Sequence, residues 1–209
     1  MLSLTNIVKK YGSHEVLNFS EWKVPNGVHW LKGKNGTGKS TLFRVLAGET
    51  PFKGEIELNG IDLNKQPILF RRKISFAEAE PQYPAFITGK DLINFYREIR
   101  SAENNEIKHL ADYFEMTAFL DNKIGGYSSG MVKKLSLICA FLGNPDLYIL
   151  DEPLITIDSD STEKLYHLID SKSSNGKIVL LSSHQDISED KIKLDTVFEI
   201  SDKQVVSSR

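Results

Sequence analysis

Residues Gly33-Lys34-Asn35-Gly36-Thr37-Gly38-Lys39-Ser40 decide the reading of this chain, because they spell the full loop G-x-x-x-x-G-K-S/T directly after the apolar run Val28-His29-Trp30-Leu31. Gly33, Gly36 and Gly38 let the backbone curl into a concave nest of N–H donors, and a helix opening at Gly38 aims its positive dipole end at the same point. A chain of phosphates fits such a nest. Lys39 is spaced to reach the β- and γ-phosphates as a mobile cation, and the Ser40 hydroxyl to ligate the Mg²⁺ that accompanies them. The context agrees, since Thr41 to Ala47 continues as a helix that Gly48 stops.

Outward from that loop, 209 residues suit one α/β domain with an inserted piece and fall short of two nucleotide-binding domains, so one chain is expected to carry half of a paired site. The 26 basic and 28 acidic residues leave a net charge of −2, which offers no general attraction to nucleic acid or anionic lipid. Arg71-Arg72-Lys73, the densest basic run, reads as a solvated turn before a strand. Cys139, the single cysteine, lies in the apolar stretch Leu135 to Leu142 and reads as a small core hydrophobe. The start of the chain, Met1 to Ile7, lacks the pattern of a signal peptide, and no apolar run approaches the ~20 residues of a membrane span. The expectation is a cytosolic protein that borrows a partner's helices if it works at a membrane.

Residues 2–8 and 15–24 alternate like strands around a turn at Tyr11-Gly12-Ser13, and Glu55 to Asn59 reads as another half-buried strand. Ile74-Ser75-Phe76-Ala77 reads as a buried strand. From 89 to 143 the pattern is helical, with apolar residues three and four apart in Asp91–Glu98 and Ile107–Phe114. Leu147-Tyr148-Ile149-Leu150 and Ile178-Val179-Leu180-Leu181 are continuous apolar runs, as in parallel strands covered on both faces, with a helix from about Ser161 to Ser173 between them.

Ligands of open parallel sheets bind beyond the carboxyl ends of the strands. Three features fall at such ends: the glycine loop, Asp151-Glu152-Pro153, and Ser182-Ser183-His184. Two adjacent carboxylates are costly to hold together unless a cation separates their roles. Mg²⁺ supplies that reason, with Asp151 on the metal through its water shell and Glu152 as general base toward the attacking water. His184, past a buried strand, is placed to sense the γ-phosphate. Tyr127-Ser128-Ser129-Gly130-Met131 precedes a helix expected from Val132 to Leu142, making a second anion-binding helix start. One chain thus has two phosphate-directed helix starts and one phosphate loop, so the second start suits a nucleotide held by another molecule, or else is an ordinary serine cap.

In this order the motifs resemble those of the ATP-binding subunits of ABC transporters over essentially the whole chain. The resemblance implies a P-loop NTPase core with a mainly parallel sheet, an N-terminal antiparallel β subdomain and an inserted helical subdomain. Residues 1–84 and 145–209 would form the core and 85–144 the helical part. It implies that Tyr11 stacks on adenine and that Gly33, Asn35, Gly36, Thr37, Gly38, Lys39, Ser40 and Thr41 hold ATP. Ser40 and Asp151 would hold Mg²⁺, Glu152 and His184 would act with Lys39 in hydrolysis, and Asp158 would couple the two sites of a dimer. Ser128, Ser129 and Gly130 would meet the ATP of the opposite subunit in a homodimer, or in a heterodimer with a related ATPase. An integral-membrane permease would be the partner, with the subunit peripheral on the cytoplasmic face and no nucleic acid expected; the short chain leans toward export.

Two departures from the family pattern stand out. Tyr127-Ser128-Ser129-Gly130-Met131 replaces the first glycine and the glutamine of Leu-Ser-Gly-Gly-Gln. Ala79 falls where a glutamine usually meets Mg²⁺, so either Glu80 substitutes as a metal ligand or the coupling there is weaker. A soluble cassette ATPase acting on ribosomes or DNA, and a catalytically weak nucleotide-gated interaction protein, remain as other readings at this point.

Overall fold

A computed structural model of the protein describes all residues except 185–186, 188–189 and 208–209. The chain opens with β1 (Leu2–Tyr11), β2 (His14–Val24) and β3 (Gly27–Lys32), followed by α1 (Lys39–Leu46). Next come β4 (Lys53–Leu58), the two-residue β5 (Ile61–Asp62), α2 (Pro67–Arg72) and β6 (Ile74–Ala77). Three helices follow, α3 (Gly89–Arg100), α4 (Asn104–Tyr113) and α5 (Ser129–Phe141). The chain then returns through β7 (Leu147–Leu150), α6 (Ser159–Ser174), β8 (Ile178–Ser182), β9 (Thr196–Ser201) and β10 (Gln204–Ser207).

Two sheets result. The first is antiparallel, in the order β2-β1-β4-β5, and the second runs β10-β9-β3-β8-β7-β6, parallel except for the β9–β10 pair. In β7, Leu147 and Ile149 face a core shared with α1 and the antiparallel sheet, whereas Tyr148 and Leu150 face a second core shared with α5 and α6. Period-2 alternation between two covered faces explains why such strands read as unbroken apolar runs. Helix α5 follows the same logic in helical form. Its residues from Leu135 to Phe141 are all buried, as expected of a helix inside the protein.

The antiparallel sheet contains a change of phase. In β1 the buried residues are Leu2 and Leu4, then Ile7 and Lys9, so one extra residue is spent near Asn6, whose φ is 53°. The β1–β4 register shifts between Thr5 and Val8 at the same place, which marks a bulge. Gly54 of β4 packs against it at φ 112°, where an added Cβ would lie 2.5 Å from the Asn6 oxygen and 2.6 Å from that of Thr5. Gly54→Ala is therefore expected to destabilise the protein by about 2 kcal/mol or more, through backbone overlap and left-handed strain. Urea unfolding monitored by tryptophan fluorescence measures this, and an unshifted midpoint would refute the close approach.

Several elements differ from the sequence expectation. Arg71-Arg72-Lys73 is no turn: Arg71 and Arg72 end α2, which Pro67 starts, and Arg71 Nη2 donates to the Gly48 oxygen at 2.8 Å. Helix α5 begins at Ser129 rather than Val132, and α6 at Ser159 rather than Ser161, each because the capping residue lies further upstream. Strands β9 and β10 were not anticipated. They join through Asp202 and Lys203, at φ 48° and 66°, a tight hairpin turn made without the Asn-Gly or Asp-Gly pair that usually announces one.

Candidate functional site

Register brings the functional loops together. Ala77 pairs with Leu150, Leu150 with Leu181, and Leu31 with Ser182, so the segments leaving β6, β7, β8 and β3 emerge along one edge of the parallel sheet. There they border a cleft of about 570 Å³. Lys34, Asn35, Gly36, Gly38, Lys39, Ser40 and Thr41 form one wall, Tyr11 and Val16 stand to one side, and Ala79, Glu80, Glu152, Ile155 and His184 complete the lining.

The glycine loop has the backbone its composition demands. Gly33, Gly36 and Gly38 have φ of 154°, 79° and 108°. A Cβ on Gly33 would lie 2.6 Å from Thr37 Oγ1, and one on Gly38 2.9 Å from Val16 Cγ1. Gly38 is the N-cap of α1 and no side chain among the described residues caps it, so the first N–H groups of the helix are presented to the cleft. Lys39 Nζ donates to the Gly33 oxygen at 2.6 Å and to that of Lys34 at 3.3 Å, folding the ammonium over the nest. Burial lowers the Lys39 pKa, while Glu152 and Asp151 work in the opposite direction. Gly33 and Thr37, expected among the nucleotide contacts, lie within the same loop, the Thr37 Oγ1 donating to the Lys34 oxygen at 2.9 Å.

The acidic pair is buried, Asp151 at 3% and Glu152 at 5% exposure. Ser182, at 0%, organises it: Ser182 Oγ donates to Asp151 Oδ1 at 2.6 Å and accepts from the Glu152 N–H at 3.0 Å. Glu152 sits at φ 46°, a left-handed conformation uncommon outside glycine and enriched at active sites. Its Oε2 accepts from the His184 N–H at 3.0 Å. Its Oε1 is buried and lies 3.2 Å from His184 Nε2, yet makes no hydrogen bond among the described residues. Sequence reasoning named Ser182 only as part of a strand end. Its placement directly after Leu181, level with the acidic pair, was the available signal.

Oxygen donors suited to a hard cation are close by. Ser40, Asp151 and Glu80 border a second, adjoining hollow of about 430 Å³, with Glu78 held to Arg44 at 3.4 Å on its rim. Among the described residues no three His, Cys, Asp or Glu side chains converge as a protein-only metal cage would need. That donor set fits Mg²⁺, which keeps its waters and usually takes one or two carboxylates together with substrate phosphates.

Tyr11 is half exposed, and Lys9 Nζ sits 4.2 Å from its ring centroid while also donating to Thr50 Oγ1 at 2.5 Å and the Pro51 oxygen at 2.9 Å. A cation on one face leaves the other for a flat aromatic ligand. Away from the cleft, Ser128 caps α5, its Oγ accepting from the Met131 N–H at 3.2 Å, and Ser128 and Ser129 are exposed. Gly130 lies so near Thr156 that an added Cβ would come 2.8 Å from the Thr156 oxygen. These three residues line no part of the cleft described above. Asp158 caps α6 through the Ser161 N–H at 2.8 Å and pairs with Lys134 at 2.7 Å, and the hydrogen bonds from Lys134 and then Ser161 hold its carboxyl well below the usual range. Cys139 is buried as expected, and burial pushes its thiol pKa up.

A further residue was missed altogether. Lys133, 1% exposed, donates to the oxygens of Glu78 at 2.8 Å, Ala79 at 3.0 Å and Asp151 at 3.2 Å. Burial pushes its pKa down to about 8 against the pull of the surrounding carboxylates. In sequence it is an unremarked half of Lys133-Lys134, since only the fold shows which lysine turns inward.

A glycine nest at the head of a helix, beside a buried carboxylate pair at neighbouring parallel strand ends, places the chain among the P-loop nucleotide hydrolases. The family model described as ABC transporter matches residues 18–155. The chain is 31% identical over 171 residues to the cytochrome c biogenesis ATP-binding export protein CcmA of Histophilus somni, covering 78% of this chain and 76% of that one. It is 30% identical over 190 residues to the ABC-type transporter ATP-binding protein EcsA of Bacillus subtilis, covering 88% and 77%. Among solved structures, one described as the ATP-binding subunit of an ABC transporter shares the fold with a TM-score of 0.89 at 24% identity, over 99% of this chain and 90% of that one. A putative ABC transporter ATP-binding protein from Pyrococcus furiosus aligns with a TM-score of 0.77 at 27% identity, over 95% and 96%. The chain belongs to the ABC transporter family, as an ATP-binding subunit that hydrolyses ATP to drive transport. Among the described residues no helix is long and apolar enough to cross a membrane.

Proposed function

We propose that this subunit works as one half of a head-to-tail pair, closing over two ATP molecules and powering solute movement through a separate integral-membrane permease from the cytoplasmic face. The pair is a homodimer or a heterodimer with a related ATPase. The observation that carries this reading is the buried Glu152 carboxylate, held by the His184 backbone N–H at one oxygen and lying 3.2 Å from His184 Nε2 at the other, at the edge of the cleft that Lys39 and the glycine loop border.

In this reading Tyr11 stacks on the adenine and the N–H groups of Asn35 to Thr41 take the phosphates, with Lys39 swinging from the Gly33 oxygen onto them. Ser40 and Asp151 hold Mg²⁺ when it is bound, with Glu80 in reach of the same hollow, and the ion neutralises charge on the phosphates. Ser182 fixes the Asp151 carboxylate, which borders that hollow and would hold the ion. Glu152 takes the proton of the attacking water, and His184 orients that water and reads the γ-phosphate. Exposure of Ser128 and Ser129 at an anion-directed helix start supports the contact with a twin chain's ATP, and the Lys134–Asp158 pair ties that start to the segment meant to couple the two sites. The segment 85–144 is then the part that faces the permease.

Co-purification of a permease with the tagged subunit from solubilised membranes tests the assignment, and ATP hydrolysis with no membrane protein ever retained would count against it. Tyr11→Ala is expected to weaken ADP and ATP equally, by roughly fivefold to tenfold, because a half-exposed stack lies at the low end of the ~1–3 kcal/mol per base. Calorimetric titration checks this. A loss confined to ATP would move Tyr11 from the base to the phosphates.

A further inference from the structure

Lys133 is a charge that the reading above leaves without a task. Its three ammonium protons meet three backbone oxygens, those of Glu78, Ala79 and Asp151, at 2.8, 3.0 and 3.2 Å. No water-facing surface remains to it, at 1% exposure. A buried ammonium is costly unless its geometry is well satisfied, so a lysine in this setting holds its surroundings to narrow tolerances.

The three oxygens belong to two different loops. Glu78 and Ala79 follow β6 and border the metal-side hollow, while Asp151 follows β7 and precedes Glu152. Lys133 itself rises from α5, three residues after Gly130, hence on the same side of the helix one turn on. The first turns of α5 touch the segment after β7 at two further points, Gly130 beside the Thr156 oxygen and Lys134 on Asp158. Lys133 alone among these reaches across to the loop after β6. Ala79 has no polar side chain, so that loop is gripped through its carbonyls.

We propose that Lys133 is a positioning residue, whose ammonium locks the helix start at Ser128–Gly130 to both the metal-side loop and the Asp151–Glu152 peptide. Movement of α5 therefore carries the loop at 78–79 and the carboxylate pair with it. The inference rests on Glu152 being the base, and it concerns alignment of that base rather than grip on the nucleotide.

The experiment compares Lys133→Met, which keeps an unbranched apolar stem one atom shorter and removes every donor, with Lys133→Gln, which keeps two N–H donors. Folding is checked by thermal melting. For Lys133→Met, kcat for MgATP should fall about tenfold or more, since small misplacements near the reacting atoms cost up to about a hundredfold. KM and the calorimetric ATP affinity should stay within about twofold, because Tyr11 and Lys39 are untouched. Lys133→Gln should fall about threefold, a partial rescue that pure volume does not predict. Should Lys133→Met not fold, the roughly threefold drop in kcat at constant KM in Lys133→Gln carries the test. Unchanged kcat in a folded variant, equal losses in both variants, or a rise in KM matching the loss of kcat each overturn the proposal. Glu152→Gln run alongside separates the two ideas. Retained turnover there overturns the assignment of Glu152 and this inference with it, whereas lost turnover there beside normal Lys133→Met overturns this inference alone.

Discussion

Glu152→Gln is expected to lower ATP turnover about a hundredfold or more and to leave ATP binding intact, the range usual for removing a general base. Glutamine keeps the shape and can still accept from the His184 N–H, which now meets Oε2 at 3.0 Å. What it cannot do is take a proton at the position of Oε1, the buried oxygen that no hydrogen bond satisfies among the described residues. With binding preserved and hydrolysis stopped, the ATP-bound pair should persist. Size-exclusion chromatography in Mg-ATP should then show the variant as a dimer where the wild type elutes as a monomer. A variant that stays monomeric at high concentration contradicts the paired arrangement, and one that hydrolyses ATP at the wild-type rate contradicts the role of the carboxylate. The two readouts fail independently, so they separate the chemistry from the assembly.

Lys39→Ala should weaken ATP binding by roughly tenfold to a hundredfold, the equivalent of one charge-assisted hydrogen bond at about 1.5–3 kcal/mol. Lys39 Nζ already sits within the nest on the Gly33 oxygen, so its transfer to phosphate exchanges a neutral acceptor for an anionic one. Burial makes the ammonium costly, a cost that the acidic neighbours Glu152 and Asp151 partly offset. An anionic ligand should therefore gain more from Lys39 than surface electrostatics suggest. The loss should shrink from ATP to AMP as phosphates are removed, in contrast with the uniform loss expected for Tyr11→Ala. Equal affinities of wild type and variant for ATP, by calorimetry, would remove Lys39 from the phosphate site.

How much of this could be seen in the chain alone varied with the range of the interaction involved. The glycine loop was legible because glycine itself announces a positive φ, and Gly36 and Gly38 stand at 79° and 108°, the second at the uncapped start of α1. The core strands were legible because burial on both faces writes an apolar run into β7 and β8. Strands β9 and β10 were not, since a hairpin turned by Asp202-Lys203 carries no glycine signal and depends on pairing with β3, far away in sequence. Helix α2 hid behind its basic end for a related reason, as six residues are too few to display a helical period.

The amino-acid order by itself determined the ligand class and the cast of the site: a phosphate nest, a mobile lysine, a carboxylate pair at one strand end and a histidine at another. It could do so because each of those groups is recognised by its immediate neighbours. Tertiary structure decided which atoms finally meet. Ser182 came to bridge Asp151 and Glu152 through the β7–β8 register, and Lys133 turned inward while Lys134 turned to Asp158. Those outcomes depend on register and packing between segments dozens of residues apart, a scale on which hydrogen-bond geometry is fixed by the fold and not by the spacing of letters along the chain.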